Sequence, residues 1–202
     1  MTSDSRARMV RSAASLIRTR GVTGTSFSDV LADSRAPRGS IYHHFPEGKE
    51  QLAADAIKWT SERVLAHQRE CPATTPEGVL DWFIDMWRQV VVSSGGRAGC
   101  VVAGVAVDTD VAETGPMTLV RVTFRSWVDL LTGQLRAAGL TPARAAAVAT
   151  ATLAGMEGAL ILCRAEQSVA PLETMAAELK RLLPAASARP LSGSRRRRSG
   201  RT

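Results

Sequence analysis

Residues 26–49 hold a cluster of side chains whose types and spacing suit contact with nucleic acid. Arg38 can contact a phosphate or a guanine, and Gly39 has no side chain that would block close approach of the backbone. Tyr42 and His43 can reach backbone oxygens or base edges, and Lys49 is placed for a flanking phosphate. The candidate DNA-contacting residues are Ser26, Arg35, Pro37, Arg38, Gly39, Ser40, Tyr42, His43, His44 and Lys49.

Two short helices joined by a tight turn would present these side chains. Ser26 and Asp29 form a Ser-x-x-Asp start, in which the serine oxygen caps free N–H groups of a new helix. Pro37 suits the first position of the following helix. The apolar residues of the pair can form a small core with a preceding helix; they are Phe27, Val30, Leu31, Ile41 and Phe45. The segment therefore predicts a helix-turn-helix whose second helix reads a DNA groove.

The flanking sequence predicts further helices and almost no strand. Apolar residues recur at helical spacing from about Ser5 to Arg20, where Gly21 can end the helix in the left-handed conformation. A longer helix should run from about Lys49 to Glu70.

The second half of the chain repeats one helix-start signal, a Thr followed by Pro, at Thr75-Pro76 and Thr141-Pro142. Other helices are expected from Gly115-Pro116 to Gly139 and from Pro171 to Leu183. The β-branched stretch Gly99–Val107 suits a strand, but a lone strand would lack a partner, so we expect a short buried helix. The fold class expected is all-α.

Composition sets bounds on function without identifying it. The net charge is +7, but residues 184–202 contribute +6 of it, so charge alone does not predict DNA binding. Neither a signal peptide nor a run of 18 apolar residues is evident, which favours a cytoplasmic protein without membrane association. Three unevenly spaced cysteines argue against a disulfide framework or a zinc site.

The sequence between Ala36 and Leu52, APRGSIYHHFPEGKEQL, resembles the helix-turn-helix signature of the TetR family of repressors. The extra glycine, Gly48, is typical of the LmrA/YxaF-like branch, and the stretches Gly99–Ala103 and Glu157–Glu166 also fit that branch. Arg35 departs from the family, which usually has Gly in this turn. A positive φ at Arg35 would cost roughly 1 kcal/mol, and we expect the turn to survive, with Arg35 free to contact phosphate.

The resemblance implies an N-terminal three-helix DNA-binding domain at 1–48 and a larger helical effector-binding and dimerisation domain at 49–183. The composition of residues 184–202 predicts a disordered Arg-rich tail. The tail could add affinity that does not depend on DNA sequence. A dimer would place two recognition helices on a palindromic operator, and a small apolar or aromatic effector would release it.

The effector pocket implied by the resemblance lies among apolar side chains of the second domain. The candidate ligand-binding residues are Trp82, Phe83, Met86, Trp87, Val105, Phe124, Trp127, Met156, Glu157 and Leu160. Glu157 is either a polar anchor for the ligand or the buried partner of an arginine such as Arg121 or Arg125.

Small residues at helical spacing in 143–164 indicate close approach of another helix. They are Ala145, Ala149, Thr152, Gly155 and Ala159. The resemblance implies that this helix and the helix of 171–183 build a four-helix dimer interface; packing within the chain is the alternative.

Other chemistry has weaker support in the sequence. Cys100 and Cys163 leave open a regulator that senses thiol oxidation, and a regulator without any effector is also possible. His43 and His44 are adjacent and so lack the i,i+4 spacing of a two-histidine helical metal pair, and neither a metal at His43, His44 and Glu47 nor any cofactor is expected. Asp108-Thr109-Asp110 is expected to cap a helix end. The sequence contains none of the motifs that would indicate an enzyme, so no enzymatic activity is expected.

Overall fold

The computed structural model describes residues 2–108 and 115–184, and within these ranges all regular structure is helical. The helices are α1 (Thr2–Arg20), α2 (Phe27–Ser34), α3 (Ser40–His44), α4 (Lys49–Arg69), α5 (Pro76–Ser94), α6 (Val101–Asp108), α7 (Gly115–Ala137), α8 (Pro142–Glu166) and α9 (Ala170–Arg181). The all-α prediction is confirmed. The predicted tail lies outside the described residues except for Pro184, as do Thr109 and Asp110.

Local capping explains most helix boundaries. The hydroxyl oxygens of Thr75 and Thr141 accept hydrogen bonds from the N–H groups of Gly78 and Arg144, with a proline following each threonine. Gly21 has a φ of 75° directly after α1, as expected for a glycine that ends a helix. The short helix predicted from the β-branched stretch is also present as α6.

The predicted start of α3 is wrong by three residues. Pro37 does not occupy the first helical position, because the helix begins at Ser40 with Gly39 as its N-cap. The carbonyl of Pro37 instead accepts hydrogen bonds from both the backbone N–H of Ser40, at 3.0 Å, and the Ser40 hydroxyl, at 2.6 Å. Pro37 therefore belongs to a turn that leads into the helix.

One continuous apolar core joins the N-terminal helices to the rest of the molecule. Helix α1 packs against α2, α4 and α6, and α4 packs in turn against α7. Helix α8 packs against both α7 and α9. We call residues 2–48 the head and residues 49–183 the body; α1 and α4 connect them.

The small-residue stripe of α8 packs within the single chain. It was expected to lie in a dimer interface, and the alternative, packing within the chain, is what the structure shows for these residues. Ala145, Ala149, Thr152 and Ala159 are buried in the single chain. A Cβ built on Gly155 would lie only 2.9 Å from Met175 Sδ of α9, so the glycine permits close contact between these two helices. The sequence could not assign the face, because α8 is apolar on all sides.

The opposite face of α8 remains exposed. Its outward residues recur every three or four positions and are small or apolar: Ala143, Ala147, Thr150, Ala154, Gly158, Ile161 and Ala165. We call them the outer stripe. Length and composition alone would let α8 cross a membrane, but its packing against α7 and α9 is that of a core helix.

Candidate nucleic-acid interface and interior clefts

Helix α2 is anchored at its start by the predicted capping box. The Ser26 hydroxyl accepts a hydrogen bond from the Asp29 N–H at 3.1 Å, and an Asp29 carboxylate oxygen accepts one from the Ser26 N–H at 2.9 Å. These bonds lower the pKa of Asp29 below its ordinary value, chiefly through the Ser26 hydroxyl. The hydroxyl of Ser26, a predicted DNA contact, is thus already engaged in fixing the helix.

The turn between α2 and α3 keeps its geometry despite the arginine. Arg35 has φ 52° and ψ 37°, the left-handed conformation that glycine adopts easily. Its N–H lies 3.4 Å from the Ala32 carbonyl, and the Ala36 N–H donates to the Leu31 carbonyl at 3.2 Å. The expectation that the turn survives is confirmed, and the Arg35 side chain is exposed.

The inner face of the helix pair is filled with apolar side chains. Val30, Ile41 and Phe45 are all fully or almost fully buried. The Arg6 guanidinium lies over the Phe45 ring, 5.4 Å from its centroid, and forms an ion pair with Asp55 of α4. The short α3, only five residues long, is therefore held in place by contacts from α1, whose Arg6 is itself fixed by Asp55 of α4.

The outer face of α3 and the turn that leads into it carry four of the predicted contact residues. Arg38, Gly39, Tyr42 and His43 are exposed, and Tyr42 exposes 69% of its surface. The Tyr42 ring packs edge-on against Phe27 of α2, with centroids 5.8 Å apart. A Cβ at Gly39 would meet nothing within 4 Å, so packing in the protein does not require this glycine.

The remaining candidates lie around this face. Pro37 is exposed, and Ser40 and His44 are half-buried. The Lys49 ammonium, at the start of α4, donates to the Thr23 carbonyl at 3.3 Å and is exposed to solvent. The predicted DNA-contacting residues thus occupy one side of the head, with Ser26 serving as a cap.

Hydrogen bonds tie the end of α1 to the body. The Asp108 carboxylate accepts from the N–H groups of Val22 and Thr23, at 2.6 and 3.2 Å. The Gly99 N–H donates to the Arg18 carbonyl at 2.8 Å, and the Arg164 guanidinium donates to the Thr19 carbonyl. We call these contacts the junction. Asp108 was expected to cap a helix end, but its carboxylate instead accepts hydrogen bonds from the backbone of the segment that connects α1 to α2.

The body contains a cleft of about 450 Å³ bounded by α1, α4, α5 and α6. Of the predicted ligand-binding residues, Met86 and Trp87 line it. Sequence reasoning missed the α4 side of the cleft, which contributes Trp59, Arg63 and His67. The α4 pattern offered no sign of a ligand, because Arg63 looks like an ordinary surface charge until tertiary packing brings α1 and α5 to it.

Other predicted ligand-binding residues lie elsewhere. Glu157 and Leu160 line a second cleft of about 290 Å³ between α1, α6 and α8. Phe124 and Glu157 border an open groove of about 440 Å³ between α7 and α8. The indole of Trp82 stacks on His67, with ring centroids 4.7 Å apart. The remaining predicted residues are buried in the core; they are Phe83, Val105, Trp127 and Met156.

Glu157 pairs with no arginine in the described part of the chain, so the buried-pair interpretation is not supported. Its Oε1 atom is buried without a hydrogen-bond partner. Burial raises the pKa of Glu157 to about 7, and the nearby Cys100 thiol partly offsets this.

Burial also raises the pKa of Cys100, and the Glu157 charge raises it further. A scarce thiolate makes Cys100 a poor oxidation target.

Comparison with known proteins places both halves of the chain in one group of regulators. A model described as "Bacterial regulatory proteins, tetR family" matches residues 10–56, and one described as "Transcriptional regulator LmrA/YxaF-like, C-terminal domain" matches residues 76–178. An uncharacterized HTH-type transcriptional regulator of Mycobacterium tuberculosis is 39% identical over 183 residues, covering 88% of this chain and 93% of that protein.

More distant matches agree. The HTH-type transcriptional regulator LmrA of Bacillus subtilis is 28% identical over 172 residues, covering 84% of this chain and 91% of its own length. A crystal structure of a TetR transcriptional regulator from Legionella pneumophila superposes with a TM-score of 0.78 at 20% identity, covering 88% of this chain and 96% of that one. The latter supports the fold.

Proposed function

Because this chain belongs to the TetR family of transcriptional regulators, in the LmrA/YxaF-like branch, we propose that it represses transcription as a homodimer that a small molecule releases from a palindromic operator. It is a DNA-binding regulator and no enzyme. The observation that carries the proposal is the head, which buries its apolar face and leaves Tyr42 and His43 exposed on α3, with Arg38 and Gly39 exposed in the turn that leads into it. We assign DNA binding to residues 1–48 and effector binding and dimerisation to 49–183.

In this proposal α3 enters the major groove. Arg38 contacts a guanine or a phosphate, and Tyr42 contacts the sugar–phosphate backbone. Lys49 and Arg35, on either side, bind flanking phosphates and fix the orientation of the helix. Gly39 lets the protein backbone come close to the DNA.

The outer stripe supports a dimer built from α8 and α9. An apolar helix with half of its circumference exposed is unfavourable in water, and a second copy would cover it. Helix α9 also exposes three small residues, Ala170, Thr174 and Ala177, beside its exposed charged residues. Two copies joined there would present two heads to half-sites about one helical turn or somewhat more apart, roughly 34–36 Å per turn.

Effector release is supported by the position of the larger cleft. Its wall includes Arg18, which lies on α1 of the head, and residues of α4, the helix that follows the head. A ligand that binds more tightly to a conformation with a different head orientation lowers operator affinity by linkage. The thiol-oxidation alternative has less support, because burial raises the pKa of both Cys100 and Cys163.

The DNA proposal is tested by selecting tight-binding duplexes from a random pool and measuring the affinity of variants by gel shift. Arg38→Ala should weaken binding roughly 10- to 100-fold, the usual range for a lost base contact. Gly39→Ala should also weaken it while leaving the thermal unfolding midpoint unchanged or higher, because the added methyl has space in the free protein.

Arg69→Ala is the matched control, since Arg69 is also an exposed arginine but lies at the far end of α4. It should bind like the parent. Unchanged affinity in both head variants would remove α3 from the interface.

A further inference from the structure

The larger cleft has the size and walls of a site for a flat, mostly apolar molecule. Its volume of about 450 Å³ lies within the usual range for small-molecule pockets. Trp59 and Trp87 contribute aromatic surface, and Val64 and Val90 contribute aliphatic surface. The Arg63 guanidinium lies over the Trp59 ring at 4.9 Å, which shows that a planar group can rest on this indole.

Three buried nitrogens at the cleft lack hydrogen-bond partners. They are Arg18 Nε, His67 Nε2 and Trp87 Nε1, and all three residues line this cleft. Arg18 Nε and Trp87 Nε1 carry N–H groups, and His67 Nε2 can donate when it is protonated. Buried donors without partners are costly and uncommon in folded proteins. A ligand with acceptor oxygens would satisfy them.

The charge of the cleft is positive. Arg18 and Arg63 both line it, whereas its described lining residues include no Asp or Glu. Burial lowers the pKa of Arg18 from its ordinary value, the nearby Cys100 raises it, and the positive charge of Arg63 lowers it. Two cations therefore act on each other across the cleft without a carboxylate between them.

From these observations we infer that the cleft binds a planar aromatic monoanion, with its carboxylate directed to Arg18 and Arg63 and its ring against Trp59 and Trp87. This inference rests on the proposed function, because it names the chemical class of the effector. The smaller cleft is a poorer alternative for the same ligand, because its volume of about 290 Å³ is below the usual range for small-molecule pockets and the carboxyl groups of Asp108 and Glu157 line it beside its arginines.

The charge preference is tested with three probes of equal ring size: naphthoate, naphthalenemethanol and naphthylmethylammonium. Binding to the full chain is followed by calorimetry and by quenching of tryptophan fluorescence. Naphthoate should bind at least about tenfold more tightly than the alcohol, as expected for charge-assisted hydrogen bonds, and the ammonium should bind most weakly. Equal binding of all three probes, no binding of naphthoate, or a preference for the alcohol or the ammonium would overturn the inference.

The location is tested with variants. Arg63→Gln should reduce the preference for naphthoate over the alcohol to less than about threefold, whereas Arg69→Gln, on the same helix but outside the cleft lining, should leave it unchanged. Arg18→Gln should act like Arg63→Gln where circular dichroism shows that it folds; otherwise Arg63→Gln decides. A preference that survives Arg63→Gln would place the anion elsewhere and overturn the assignment.

Failure of the ligand class and failure of the proposed function give different results. A chain that selects no duplex from a random pool lacks the proposed function, even if it ranks the three probes as expected. A chain that binds its selected duplex but does not prefer naphthoate is still a DNA-binding regulator, and only the ligand class is wrong.

Discussion

The outer face of the head and the interior clefts of the body place their polar side chains in opposite ways. Around α3, Arg38, Tyr42 and His43 face solvent, and the fully buried side chains, Ile41 and Phe45, are apolar. At the clefts, Arg18, His67, Trp87 and Glu157 each keep a buried polar atom without a partner. Water satisfies the exposed groups of a surface that will meet a large partner, whereas an interior site for a small ligand leaves its groups unsatisfied at a cost of about 1–3 kcal/mol each.

This contrast means that a binding surface and an interior binding site are identified by different structural features. The head is recognised by the residues that it exposes, which lie outside its core, although Tyr42 packs edge-on against Phe27 and Arg35 has a strained positive φ. The body is recognised by imperfect hydrogen bonding in its interior, so its site residues also affect stability. The following experiments separate the two regions.

The largest effect is expected from a change in the body that leaves the head untouched. Ala154→Arg, in the centre of the outer stripe, should separate the dimer and weaken operator binding by more than about 100-fold, because two linked heads bind far more tightly than one. Sedimentation and gel shift measure the two effects. Ala66→Arg, the same change at an exposed position of α4, should preserve both. A dimeric Ala154→Arg protein would show that this face is not the interface.

A smaller effect is expected from the buried carboxyl group of the body. Burial raises the pKa of Glu157 to about 7 from its ordinary value of 4.5, so the folded state holds its proton where the unfolded state has lost it. The free energy of unfolding should therefore fall as the pH rises from about 4.5 to about 7, by at most about 3 kcal/mol.

Glu157→Gln should remove this fall, and urea unfolding at pH 5 and pH 8 measures it. Glu62→Gln, at an exposed glutamate of α4, is the control and should keep the parent's pH dependence. If Glu157→Gln shows the same fall as the parent, the carboxyl group is hydrated in solution.

The smallest effect compares matched positions in the two regions. Arg35 in the head and Gln167 in the body are the non-glycine residues with positive φ among those described, at 52° and 50°. Arg35→Gly and Gln167→Gly should each stabilise the fold by about 1 kcal/mol, because glycine removes the left-handed strain. Calorimetric melting measures the gain.

DNA binding should distinguish the two glycine variants. Arg35→Gly should weaken operator binding and reduce its salt dependence by about one phosphate contact, whereas Gln167→Gly should change neither. Identical salt dependence in the two variants would exclude a phosphate contact by Arg35.

The sequence predicted those parts of the fold that depend on neighbouring residues. The Thr-Pro helix starts at Thr75 and Thr141 and the capping box at Ser26 follow from local hydrogen bonding, which explains why they were confirmed. The predicted position of Pro37 was wrong because proline is favoured both in turns and in the first turn of a helix.

Features that depend on distant segments could not be predicted in this way. The larger cleft combines Arg18, Trp59 and Trp87 from three helices, and nothing in their spacing brings them together. Helix α8 is apolar on all sides, so its pattern could not separate the face packed on α9 from the outer stripe. The sequence predicted that the body contains a pocket, and tertiary structure was needed to identify the lining residues.

The hydrogen bonds of Asp108 give the head an internal reporter of its orientation. The backbone amides of Val22 and Thr23 donate to this carboxylate, and they lie outside both the exposed side of α3 that we propose to face DNA and the lining of the larger cleft. Their protons should exchange with deuterium slowly while the head is docked and rapidly once it rotates away. Exchange at these two amides would therefore register the change in head position directly, even when neither DNA nor a small molecule is present.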